Sequence, residues 1–129
     1  MKPKILIVLA DYYRDISNEM LNSTINFIKK KAKHKTIKVP GIFEIPVVIS
    51  KNINKYDGII SLGCVIKGET PHFEFISSAA TNAIMNLSVE FKKPIGNGVI
   101  TCLNIKQAKV RSKTKGIEAA KAVISVLSK

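Results

Sequence analysis

The chain has 129 residues, 46% of them hydrophobic, and its 21 lysines and arginines outweigh 9 acids to give a formal charge of +12. This length supports one domain, residues 1–129, whose single core buries roughly two thirds of the chain surface. No apolar run reaches the roughly 18 residues of a membrane span, Met1-Lys2-Pro3 leads into a strand without a signal-peptide layout, and Cys64 and Cys102 sit in apolar contexts; a cytoplasmic protein with reduced thiols is expected.

The first apolar run, Lys4 to Leu9, reads as a strand. Ser17 is a candidate cap for a helix whose stripe is Met20, Leu21, Ile25 and Ile28, spaced for one face of a 3.6-residue period. A short strand over Thr36 to Val39 stops at the turn pair Pro40-Gly41, and a second helix follows through Ile45, Val48, Ile49 and Ile53 with Pro46 in its first turn. The third strand is Gly58 to Leu62. A long helix beginning near Pro71 carries Phe73, Ile76, Ala80, Ala83, Ile84, Leu87 and Phe91 at three- and four-residue intervals. Asn97-Gly98 opens a fourth strand over Val99 to Cys102. Two further helical patterns, Ile105 to Val110 and Ile117 to Leu127, are separated near Thr114 to Gly116. Strands that are nearly continuous β-branched runs, alternating with helices, predict a parallel sheet covered on both faces.

Such a sheet brings its strand-to-helix loops to one edge, where open α/β folds bind ligands. Those loops hold Asp11 to Arg14, Pro40 to Glu44, Cys64 to His72, and Leu103-Asn104. The third is the richest in chemistry: the backbone N–H groups of Glu69 to Phe73 are expected to be unpaired at a helix start and to form an anion seat beside His72. The positive charge is nearly all lysine, and its densest run, Lys29 to Lys35, lies where the first helix ends. A solvated helix end suits the dipole there and is favoured over a nucleic-acid surface. There is no Walker loop, no Gly-x-Gly-x-x-Gly and no Cys-x-x-Cys, and His34 and His72 lack metal-ligand spacing. A Cys64 and His72 nucleophile pair is the alternative that the residues leave open.

The segments Val39-Pro40-Gly41-Ile42-Phe43-Glu44-Ile45-Pro46 and Leu62-Gly63-Cys64-Val65-Ile66-Lys67-Gly68-Glu69-Thr70-Pro71-His72-Phe73, with Asn104-Ile105-x-Gln107-Ala108, Arg111 and Lys115-Gly116, resemble the lumazine synthase family of riboflavin biosynthesis. The fold implied is a three-layer α/β/α sandwich with a four-stranded parallel sheet in flavodoxin-like order. The implied reaction condenses 5-amino-6-(D-ribitylamino)uracil with 3,4-dihydroxy-2-butanone 4-phosphate, releasing phosphate and water, with no cofactor and no metal. Carried onto these positions, Tyr12 stacks on the uracil, Ile42, Phe43 and Glu44 line the ribityl chain, and Cys64, Val65 and Ile66 meet the pyrimidine. Glu69 and Thr70 hold the butanone phosphate by backbone amides and a hydroxyl, His72 transfers protons, and Arg111, assisted by Lys115, clamps the phosphate.

Two departures from the family pattern stand out. Asn97 occupies a position where an aromatic commonly packs on the uracil from a neighbouring subunit, and the segment between Arg111 and Lys115 is short. The resemblance further implies small-molecule substrates and a homopentamer with shared sites, with a 60-subunit shell as the larger form known among relatives; no nucleic acid or membrane partner is expected. A flavin- or lumazine-binding protein without turnover is the alternative function.

Overall fold

The computed structural model describes residues 1–69 and 72–129. Its strands are β1 (Lys4–Ala10), β2 (Lys33–Val39), β3 (Gly58–Ile66) and β4 (Ile95–Cys102), all parallel, in the order β2-β1-β3-β4. The helices are α1 (Arg14–Ile28), α2 (Ile45–Asn52), α3 (Phe73–Phe91) and α4 (Ile105–Leu127), with single 3₁₀ turns at Ile42–Glu44 and Ile53–Lys55. This is the expected α/β, flavodoxin-like arrangement.

Alternation along the strands sorts the core into two halves. Ile5, Ile7 and Leu9 point to one face with Ile60, Leu62 and Ile100, where Ile16, Met20 and Ile28 of α1 and Ala108, Ala119, Ala120 and Val123 of α4 cover them. Leu6, Val8 and Ala10 point to the other with Ile59 and Val65, beneath Ile45 and Ile49 of α2 and Ala80 and Ile84 of α3. Both central strands are therefore buried on two sides, which explains why they read as unbroken apolar runs. Among the described residues no helix is long and apolar enough to cross a membrane.

Four local readings are corrected. Ser17 does not cap α1; the helix starts at Arg14, and the buried Ser17 hydroxyl instead donates to the Ala10 carbonyl at 3.0 Å. The short second strand extends back to Lys33, so the lysine run is split between the turn after α1 and the start of an edge strand. The third strand does not stop at Leu62 but continues through Gly63-Cys64-Val65-Ile66. The two C-terminal helical patterns form one helix of 23 residues. Gly116, which reads as a breaker, sits inside α4 where it crosses α1, and a Cβ there would collide with the Thr24 hydroxyl. Its small size serves close helix packing. The start of α4 is held by a capping box: Asn104 Oδ1 accepts from the Gln107 N–H at 2.9 Å, and Gln107 Oε1 accepts from the Leu103 N–H at 2.8 Å.

Candidate active site

At the C-terminal edge of the sheet three loops converge. The chain leaves β1 through Asp11 into a pair of tyrosines, Tyr12, 69% exposed, and Tyr13, half-buried; their rings meet edge to face with centroids 4.9 Å apart at 79°. The turn Ile42–Glu44 lies directly on β3 because position 63 is glycine, where a Cβ would collide with the Ile42 side chain. Buried Ile42 anchors the turn, so Phe43 stays 55% exposed and Glu44 is exposed beside it. Phe43 is thus no core residue.

The third contribution comes from β3 itself. Pairing with β1 ends at Leu9 opposite Leu62, whereas pairing with β4 continues to Ile66 opposite Cys102. From Gly63 to Ile66, therefore, the backbone has a strand partner on one side only, and no strand pairs with the other. Tyr12, Tyr13, Gly41, Ile42, Phe43, Glu44, Cys64, Val65, Ile66, Glu69 and Ile76 together line a cavity of about 280 Å³. Tyr13 and Ile76 escaped the sequence reading. Ile76 reads as ordinary stripe on α3, while the doubling of aromatics at Tyr12-Tyr13 was the available signal for Tyr13.

Burial is the main force on the titratable groups of the rim. It pushes the Cys64 thiol up to about 12, with Cys102 beside it adding to the rise and Arg111 opposing it. A thiol so held is a poor nucleophile near neutrality, which argues against the Cys64 and His72 pair as a reaction centre. Burial also pushes the Tyr13 hydroxyl up to about 12, aided by the nearby Glu69 carboxylate; it remains a hydrogen-bond donor across the physiological range.

The anion seat differs from expectation. The Glu69 N–H is not open but donates to the Ile66 carbonyl at 3.2 Å. Thr70 lies outside the described residues. His72 stands at the head of α3, exposed, with its carbonyl accepting from the Ile76 N–H at 2.8 Å and its ring 6.5 Å from that of Phe75.

Four predicted site residues are not part of this cavity lining: His72, at the head of α3, and three on α4 and β4. Arg111 is exposed on α4 and donates through Nη1 to the Thr101 carbonyl at 2.8 Å and to Cys102 Sγ at 3.6 Å, at the end of β4. Lys115 is half-buried one turn further along α4. Asn97 is exposed on β4, and its Oδ1 accepts from the Val99 N–H at 3.1 Å, leaving the amide nitrogen to donate elsewhere. Among the described residues the cavity lining carries the carboxylates of Glu44 and Glu69 and no lysine or arginine, so it is aromatic and hydrogen-bonding but holds no side-chain cation to face a phosphate.

The family model described as 6,7-dimethyl-8-ribityllumazine synthase matches residues 2–129. The chain is 41% identical to the 6,7-dimethyl-8-ribityllumazine synthase of Bartonella tribocorum, with 98% of this chain and 89% of that one covered. It is 40% identical to 6,7-dimethyl-8-ribityllumazine synthase 1 of Rhodopseudomonas palustris, at 96% and 83% coverage, and 37% identical to the enzyme of Agrobacterium fabrum, at 98% and 93%. The converging loops, the motifs that build them and a match spanning nearly every residue establish that this chain belongs to the 6,7-dimethyl-8-ribityllumazine synthase family.

Proposed function

We infer that the chain condenses 5-amino-6-(D-ribitylamino)uracil with 3,4-dihydroxy-2-butanone 4-phosphate to 6,7-dimethyl-8-ribityllumazine, and that its cavity at the C-terminal sheet edge holds the uracil substrate. The observation that carries the assignment of the site is the opening of β3 beyond Leu62: a strand with one unpaired side, next to an exposed aromatic ring, offers hydrogen bonds to the edge of a planar heterocycle and a surface to stack on it. Tyr12 supplies the ring. Cys64, Val65 and Ile66 supply the backbone, while Ile42 and Phe43 flank the ribityl chain and Glu44 accepts hydrogen bonds from its hydroxyls.

The reaction forms an imine with loss of one water, eliminates phosphate and closes a ring with loss of a second water, and each step moves a proton. His72 takes and gives these protons, since a histidine can do both near neutral pH. The phosphate is received at Thr70 rather than by the Glu69 N–H, which the Ile66 carbonyl occupies, and Arg111, helped by Lys115, stabilises the departing dianion. Bringing two reactants together is worth about 7–11 kcal/mol, more than the about 10²–10⁴-fold from acid–base help. His72→Ala therefore slows turnover without abolishing it.

The cation-poor cavity supports a site shared between copies, with Asn97, Arg111 and Lys115 coming from a neighbour. The outer surface of α3 supports the same reading: this helix contains no lysine or arginine in a chain that has 21, and it exposes Phe75, Met85 and Val89. A homopentamer around the α3 helices covers that surface and completes the sites. The test is fluorescent lumazine formation from both substrates, run beside Arg111→Ala and a no-enzyme control. Synthesis well above the spontaneous rate, reduced about 10²-fold in Arg111→Ala, bears out the clamp; synthesis at the control rate by an assembled protein overturns the catalytic reading in favour of a binding protein.

A further inference from the structure

In a parallel sheet every strand starts at the same edge, and every helix returning to it ends there. That edge lies opposite the cavity, and here it gathers lysines from each connection. Lys29, Lys30 and Lys31 follow α1, and Lys33 opens β2. Lys55 precedes β3, and Lys92 precedes β4. Lys2 and Lys4 stand at the start of β1, where Lys4 is the register partner of Lys33. All of these are exposed. Asp57 and Glu90 are the acids on this side, and the Asp57 carboxylate is engaged by the Lys4 N–H at 2.8 Å. The opposite edge is different in kind: Asp11, Asp15, Glu44, Glu69 and Glu74 there offset Arg14, Lys67 and the bases that open α4.

Neither the helix dipole nor the reaction accounts for this pole. A dipole rewards a cation at a helix end by only about 0.3–1 kcal/mol, and crowding like charges opposes the gain. The phosphorylated substrate belongs to the far edge, so steering it does not require charge here. The sequence showed only one dense lysine run, which a solvated helix end explained. Tertiary structure joins that run to lysines from the two other connections and from the start of β1, along an edge about 14 Å wide at the usual strand spacing of about 4.8 Å.

We propose that this lysine pole binds the phosphate backbone of nucleic acid, without reading sequence, as a function separate from lumazine synthesis. The composition selects this partner. Lysine is depleted at protein–protein interfaces, which favour arginine and aromatic anchors, and the arginines of the chain, Arg14 and Arg111, both lie toward the cavity edge. The exposed apolar residues at this end, Met1, Val89 and Val126, are too few to make the broad apolar helix face that enters a lipid surface. What remains is a row of mobile point charges, suited to releasing counterions from a regularly spaced polyanion. The nearby Phe27 ring is overlaid by the Lys31 and Lys121 ammonium groups, 5.4 and 5.8 Å from its centroid, and does not serve as a platform for base stacking.

The test is fluorescence anisotropy of labelled 20-nucleotide oligo-U RNA against the intact protein. With about five phosphates neutralised, raising salt from 50 to 200 mM weakens binding about 100-fold. Lys29→Gln/Lys30→Gln/Lys33→Gln is expected to weaken binding about tenfold at 50 mM and flatten the salt dependence, while lumazine synthesis is unchanged. The charge-preserving triple Lys→Arg variant retains binding. Lys106→Gln/Lys109→Gln, at the other edge, weakens it less than threefold. Absence of binding at 50 mM, equal losses in variants at either edge, or binding to phosphatidylserine vesicles in place of RNA would each overturn the proposal.

Discussion

The sheet has two outer strands, and they manage exposure in opposite ways. On β2, Lys33, His34, Lys35 and Lys38 are exposed and only Val39 is buried. On β4, Gly96, Gly98, Ile100 and Cys102 are buried while Asn97 and Thr101 are exposed, so one face is sealed beneath α4 and the other is uncharged. Lysines along an edge strand repel a second strand and keep the edge solvated. The outward face of β4 has no such guard. One edge is built to remain alone, and the other is left compatible with a neighbour, which is the same division that the shared-site reading requires.

The sharpest way to break this comparison is Asn97→Lys, which puts a β2-like charge on β4. If β4 meets a second copy, assembly dissociates in sedimentation analysis and lumazine synthesis falls by about 10²-fold or more, because an unpaired charge is desolvated at the interface. Lys35→Asn, the converse change on β2, leaves both unaltered. An assembled, active Asn97→Lys protein would sink the distinction.

The buried side of β4 is open to a pH measurement. Cys64, against Cys102, is raised from 9.0 to about 12, so the folded chain keeps a proton that the unfolded chain releases. Stability from this group is whole below pH 9 and is lost as pH rises from 9 to 12, at up to about 1.4 kcal/mol per unit. Urea midpoints at pH 8 and 10.5 should fall further apart in the unaltered protein than in Cys64→Ala; parallel declines would show that burial there is too loose to matter.

A smaller effect tests how β4 satisfies its own edge. Asn97→Ala removes the acceptor of the Val99 N–H and is expected to cost about 0.5–1.5 kcal/mol, read as a lower denaturant midpoint at constant slope. The least effect on stability belongs to β2: Lys33→Thr/Lys35→Thr should stay within about 0.5 kcal/mol but lower solubility at high concentration, since it removes the guard from the edge. Unchanged light scattering would mean that these lysines do not protect it.

The elements of the fold were readable because most of their signals are local. β1 and β3 announce themselves by continuous apolar runs and α3 by its stripe. The cavity loops were readable too, since parallel topology sends them to one edge. Positions whose roles depend on distant partners were not. Gly116 and Ser17 carry ordinary breaker and cap signals, yet one faces Thr24 across a helix crossing and the other donates to Ala10. The Glu69 N–H looked open until the turn back to Ile66 closed it.

By itself the sequence determined the order of strands and helices, the motifs of the family and most of the rim residues, because periodicity and short-range chemistry are written along the chain. Tertiary structure alone decided that β1 parts from β3 after Leu62, that Arg111 and Asn97 stand outside the cavity of their own chain, and that lysines from separate connections share one pole. The physical reason is that pairing, cavity shape and charge density depend on distances between residues far apart in sequence, and those distances exist only once the two halves of the core have closed on the sheet.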